Sequence, residues 1–162
     1  MDKPLSKSAR KVQDALADHG LACRVIELTE STRTAEDAAR VVGCDVGQIV
    51  KSLLFRGMVT GKPLFCLASG RNRVAEVRLA ELAGEPIGKA DAAFVREKTG
   101  FAIGGVAPLG HPEKLATFID EDLLQYSELW AAAGTPAALF RLTPGELRVM
   151  TDGLVATVRE SA

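Results

Sequence analysis

Apolar residues recur along this chain with two different periods, and the changes of period mark out its elements. In "SKSARKVQDALADH" (6–19), Ala9, Val12 and Leu16 fall at helical spacing, and Gly20 follows as a stop. "ACRVIEL" (22–28) alternates as a strand does. "TAEDAARVVG" (34–43) opens on Thr34 with Asp37 three residues on, the pattern of a capping box, and closes on Gly43, which predicts a short helix. "QIVKSLLFRG" (48–57) and "KPLFCLASG" (62–70) are apolar runs on either side of a turn-like segment and predict a hairpin. Two helices are expected next. One covers "VAEVRLAELAG" (74–84), with Val74, Val77 and Leu82 inward; the other covers "KADAAFVREKTG" (89–100), capped by Asp91 and terminated by Gly100.

Downstream, "KLATFID" (114–120), "ELWAAAG" (128–134) and "AALFRL" (137–142) read as strands. "TPGELRVM" (143–150) reads as a helix with Thr143 as cap and Pro144 at its first position, and "GLVATV" (153–158) as a closing strand. Strands and helices intermix without a regular βαβ beat, and no repeat or linker interrupts them. The expectation is one mixed α/β (α+β) domain over residues 1–162.

The strand "IVKSLLF" holds the most unusual residue. Alternation sends Ile49, Lys51, Leu53 and Phe55 to one face and Val50, Ser52 and Leu54 to the other, so a lysine interrupts an otherwise apolar face. A lysine is rarely fully buried without a partner. Either its stem snorkels to the sheet rim or its ammonium sits at the floor of a pocket.

Composition narrows the chemistry. Apolar residues make up 47% and charged residues 25% of the 162, an ordinary soluble profile. No run approaches the ~20 apolar residues that span a bilayer, and the N-terminal stretch lacks the apolar core of a signal peptide, so a cytoplasmic location is expected. The three cysteines (Cys23, Cys44 and Cys66) form no C-x-x-C pair and are expected to pack as small apolar residues, while two histidines are too few for a His-rich metal site. Neither a metal nor a cofactor is expected. A net charge of −1 with scattered Lys and Arg disfavours a large duplex footprint or a DNA-binding face, but leaves room for contact with a nucleic-acid end.

No catalytic triad shows itself. Ser69 precedes Gly70 in "ASGRN" without forming G-x-S-x-G, and Asn72 with two arginines forms either a solvated loop or a phosphate contact. "FAIGGVAPLGH" (101–111) fits neither G-x-G-x-x-G nor the phosphate loop. Its glycines build either a structural turn or a cradle of backbone N–H groups for a carbonyl or carboxylate.

In this order and spacing, "QIVKSLLFRG", "LFCLASGRNRVAEVRLAEL", "GKADAAFVREKTGFAIGGVAPLGH", "FIDEDLL" and "AAAGTP…FRLTPGEL" resemble the YbaK/EbsC family. These are free-standing relatives of the editing domain of bacterial prolyl-tRNA synthetases. The likeness covers about residues 20–158, and it rests chiefly on the lysine strand and the G-x-x-x-P loop from Gly104 to Pro108. It implies one mixed domain around a curved, largely antiparallel sheet. It also implies hydrolysis in trans of mischarged tRNA, Ala- or Cys-tRNA(Pro), at a pocket receiving the 3′-terminal aminoacyl-adenosine, with prolyl-tRNA synthetase as a possible partner. Carried over residue by residue, Lys51, Gly104 and Gly105 are the catalytic candidates. Ser52, Ser69, Asn72, Val106, Pro108 and Gly134 are candidates for the substrate-binding wall. Some members carry a histidine just after the glycine that is Gly134 here; this chain reads Thr135, Pro136 and Ala137, so that residue's part in amino-acid selection is not carried over. The rival expectation is a module that binds tRNA or a synthetase without cleaving anything.

Overall fold

The structure is a computed structural model that describes residues 4–32 and 34–161. Helix α1 (Lys7–Asp18) buries Ala9, Val12 and Leu16, and its first turn is closed by the Ser6 hydroxyl, which accepts from the Ala9 amide. Strand β1 (Val25–Glu27) and helix α2 (Ala35–Val42) follow. Thr34 caps α2 by accepting from the Asp37 amide, while the Asp37 carboxylate pairs with Arg40; only the hydroxyl half of the expected capping box is used. β2 (Ile49–Gly57) and β3 (Pro63–Ser69) form the predicted hairpin. Helix α3 (Glu76–Ala83), strand β4 (Ile87–Lys89) and helix α4 (Ala92–Thr99) come next. The chain ends through β5 (Ala116–Asp120), β6 (Leu129–Ala132), β7 (Ala138–Leu142), α5 (Pro144–Thr151) and β8 (Leu154–Ala156).

All eight strands join one mixed sheet in the order β1-β7-β6-β2-β3-β5-β8, with β4 paired to the far end of β2. Four of the pairings are antiparallel and three parallel, so the antiparallel share is the larger one. β3 is buried on both faces. Phe65 and Leu67 join the core under α1 and α5, whereas Leu64, Cys66 and Ala68 pack with Leu79 of α3. A third cluster sets Ala38 and Ala39 of α2 against Ile49 and Leu139. Val77 is a correction to the expected inward face of α3: it is 76% exposed, and the buried residue of that helix is Leu79. Leu79, Leu82 and Ala83 form the packed face of the helix, and Val77, two positions before Leu79, falls on the opposite side. Among the described residues no helix is long and apolar enough to cross a membrane.

One consequence of this order positions everything that follows. Along one edge β2 is paired to β3 throughout, from Val50 with Ser69 to Arg56 with Pro63. Along its other edge it meets β6 only at Ile49 and Val50, and β4 only from Phe55 to Gly57. Between them, from Lys51 to Leu54, the edge of a central strand has no partner strand among the described residues.

Candidate functional site

A cavity of about 470 Å³ opens at that gap. Lys51, Ser52, Leu53 and Leu54 form its floor; Ala35 and Ala38 of α2, Val95 of α4 and Leu139 of β7 supply apolar walls. Ile103, Gly104 and Val106 close one side, and Thr32 and Thr34 another. The rim is tied together by backbone contacts. The Thr32 amide and hydroxyl both donate to the Pro136 carbonyl, at 2.8 and 3.0 Å, and Pro136 in turn lies against Gly104.

Lys51 is half-buried on the face of β2 between the patch covered by α2, where Ile49 packs, and the patch covered by α3, where Phe55 packs. Its ammonium donates to the Asn72 carbonyl. Burial pushes its pKa below the usual lysine value; Glu36 and Asp120 oppose this, and Arg73 adds to it. Loss of solvent around a charge disfavours the charged form. Behind the lysine stands a fully buried carboxylate, Asp120. It accepts from the Ser69 amide (3.0 Å), the Asn72 side-chain amide (2.9 Å) and the Asp122 amide (2.9 Å), and so fixes the 69–73 turn that presents the Asn72 carbonyl. Sequence reasoning passed over Asp120, because an acid at the end of a strand reads like a solvated one.

The glycines divide by physical role. Gly104 has φ +97° and borders the cavity, so it uses the left-handed freedom that other residues lack. Gly105 does something else: a Cβ there would lie 2.7 Å from the Thr135 Cα, so the missing side chain admits the 134–135 backbone. Its amide donates to the Ala102 carbonyl. The amides of Gly104 and Val106 have no acceptor among the described residues. One further polar group is unpartnered at this cavity, the buried Ser52 hydroxyl. The thiols are not poised for chemistry: burial raises Cys66 to about 12 and Cys23 to about 11, and Cys44 is raised as well.

Residues 29–149 match the model of the aminoacyl-tRNA editing domain. This chain belongs to the aminoacyl-tRNA editing domain family. It is similar to a solved structure described as a candidate trans-editing enzyme for prolyl-tRNA synthetase, at 52% identity and a TM-score of 0.93 over 98% of this chain and 100% of that one. It is 30% identical to the uncharacterized protein YwhH of Bacillus subtilis (strain 168), over 76% of this chain and 78% of YwhH. It is also 27% identical to EbsC of Enterococcus faecalis (strain ATCC 700802 / V583), a candidate Cys-tRNA(Pro)/Cys-tRNA(Cys) deacylase, over 80% of this chain and 79% of EbsC.

Within this editing domain, four of the nine expected residues line the cavity: Lys51, Ser52, Gly104 and Val106. The other five do not form its wall. Ser69 spends its hydroxyl on the Gly47 carbonyl at 2.7 Å. Asn72 turns its amide to Asp120 and Asp122 and offers only its carbonyl to Lys51. Gly134, with φ +96°, lets the chain pass the Ser8 carbonyl, which a Cβ would approach to 2.6 Å. Gly105 packs on that same loop, and Pro108 faces a second cavity of about 390 Å³. Wall residues that the sequence did not mark, Ala35, Ala38, Ile103 and Leu139, are apolar and resemble any core residue.

Proposed function

We propose that this editing domain is a deacylase acting in trans on mischarged tRNA, with Ala- or Cys-tRNA(Pro) as substrate, and that the cavity at the β2 gap receives the 3′-terminal aminoacyl-adenosine. One observation carries the reading: Ser52, with an unpartnered hydroxyl, and Gly104 and Val106, whose amides have no acceptor among the described residues, line a mostly apolar cavity beside a half-buried ammonium. Buried polar groups are normally satisfied within the protein. Donors left free at a cavity are available to a ligand oxygen.

An aminoacyl ester needs little more than this. Water, or the neighbouring ribose 2′-hydroxyl ahead of it, attacks the ester carbonyl. The bond to the ribose oxygen breaks, and water leaves a free amino acid and a tRNA hydroxyl. The free amides of the glycine loop stabilise the negative charge that develops on the carbonyl oxygen, and Lys51 anchors the adenosine or its phosphate and adds positive potential. Each preorganised donor of this kind is worth about 10²–10³ in rate. The small apolar side chains of Ala35 and Ala38 and the absence of a carboxylate among the described lining residues favour a small uncharged amino acid.

With a net charge of −1, intrinsic tRNA affinity is expected to be weak, so prolyl-tRNA synthetase is the natural partner to supply tRNA identity. The test is deacylation of a panel of Ala-, Cys-, Ser- and Pro-tRNA(Pro), with and without the synthetase. Cleavage of Ala- or Cys-tRNA(Pro) and sparing of Pro-tRNA(Pro) is the expected result. Binding without cleavage of any of them would replace the deacylase with a non-catalytic tRNA- or synthetase-binding module.

A further inference from the structure

The unpaired stretch of β2 has a definite chemistry. In an antiparallel pair, successive residues turn their N–H and C=O alternately toward the partner strand and away from it. Three bonds fix which residues do which in β2. The Ile49 carbonyl accepts from Gly70 (2.7 Å) and the Gly57 amide donates to Lys62 (2.9 Å), so the odd-numbered residues face β3; the Met58 amide donates to Pro86 (2.8 Å), so the even-numbered ones face the opposite edge. The register to β3 runs unbroken from Val50 to Arg56, so no bulge resets this alternation. The Ser69 amide agrees: opposite Val50 it bonds Asp120 rather than β2. On the opposite edge Val50 is taken up by β6 and Arg56 by β4. Ser52 and Leu54 are the two even-numbered residues left at the gap, and Ser52 is the one that adds a buried, unpartnered hydroxyl to its strand-edge N–H and C=O.

We infer that Ser52 recognises the substrate's α-amino group. The aminoacyl moiety lies beside β2 as a one-residue strand, its α-ammonium donating to the Ser52 carbonyl and its ester carbonyl accepting from the Ser52 amide. This is strand addition reduced to a single residue pair. Among the described residues no carboxylate lines the cavity, so a backbone carbonyl is the acceptor on hand for that ammonium. The substrate class is then narrowed to esters of amino acids with a free α-amino group; N-acylated and α-hydroxy acyl esters offer the Ser52 carbonyl only a neutral donor and are disfavoured. The inference rests on the deacylase reading above.

The experiment compares alanyl-tRNA(Pro) with its N-acetyl form and with lactyl-tRNA(Pro), each rate divided by the ester's own spontaneous hydrolysis. The two analogues are expected to lose about 10- to 100-fold in normalised kcat/KM, the scale of a hydrogen bond to a charged group. Equal cleavage of all three overturns the inference and leaves the deacylase reading intact. Cleavage of none of them, with cysteinyl-tRNA(Pro) also left intact, overturns the deacylase reading itself, and this inference with it. Where cysteinyl-tRNA(Pro) alone is cleaved, the same comparison is made with its N-acetyl form, and equal cleavage of the two overturns the inference. The Ser52→Ala variant keeps the backbone pair and is expected to go on discriminating against the N-acetyl form. Loss of that discrimination would move recognition to the hydroxyl and overturn the assignment to the strand edge.

Discussion

Two cavities flank the glycine loop, and they differ in a way that residue type alone conceals. The second, of about 390 Å³, has the richer chemistry on paper: both histidines, Glu113, Lys114 and Asp152 line it. Yet most of the groups there are engaged, the exposed Glu113 being the exception. His111 bonds the Ala107 carbonyl at 2.8 Å and is held edge-on to Phe65 and Phe101; His19 bonds Ala15; Lys114 pairs with Asp152. The Lys51 cavity has few polar groups, but its hydroxyl and two of its amides are uncommitted. Unspent hydrogen-bonding capacity, more than a count of titratable side chains, marks a place for a ligand.

The contrast can be broken at either cavity. The largest effect is expected from Lys51→Ala, which should lower deacylation by about 10²–10³-fold, the scale of a lost preorganised donor, while circular dichroism and melting stay near wild type. Unchanged activity would return Lys51 to a snorkelling surface role. Gly105→Ala should cost about 1–3 kcal/mol of stability by forcing a Cβ against the Thr135 backbone, measured by urea unfolding, and should displace the loop that carries the free amides. Asp120→Ala strands the buried donors of Ser69 and Asn72 and should cost about 2–3 kcal/mol.

At the second cavity the effects are smaller. Burial lowers the His111 pKa, so the folded chain favours its neutral form. Below the ordinary histidine value the unfolded chain takes up the proton first, and stability falls as pH is lowered through that region and on toward the folded-state value. His111→Gln retains a donor for Ala107. It should flatten the fall in thermal midpoint while changing deacylation little. The smallest effect is expected from Lys114→Ala, which removes an exposed pair and should leave the melting temperature unchanged.

Much of this architecture was legible. Caps and stops placed α1, α2, α4 and α5, and the hairpin of β2 and β3 followed from two apolar runs around a turn. β4 was not, because three residues containing Gly88 show no alternation to read. The parallel pairings of β2 with β6 and of β3 with β5 join segments far apart in sequence, so the gap in the sheet left no local trace. Lys51 stood out because it broke an apolar face. Ser52 resembled any small polar strand residue until its edge proved to be unpaired. The glycine loop drew attention as one unit, and only the structure separates Gly104 at the cavity from Gly105 against the neighbouring backbone.

The central claim, that the cavity with uncommitted donors takes the aminoacyl end, is tested most directly by amide NMR titration with a non-hydrolysable 3′-amide analogue of alanyl-adenosine. The account predicts saturable shifts at Lys51, Ser52, Gly104 and Val106, with Leu109 to Leu115 unmoved. Shifts centred on His111 and its neighbours, with Ser52 and Gly104 silent, would contradict it.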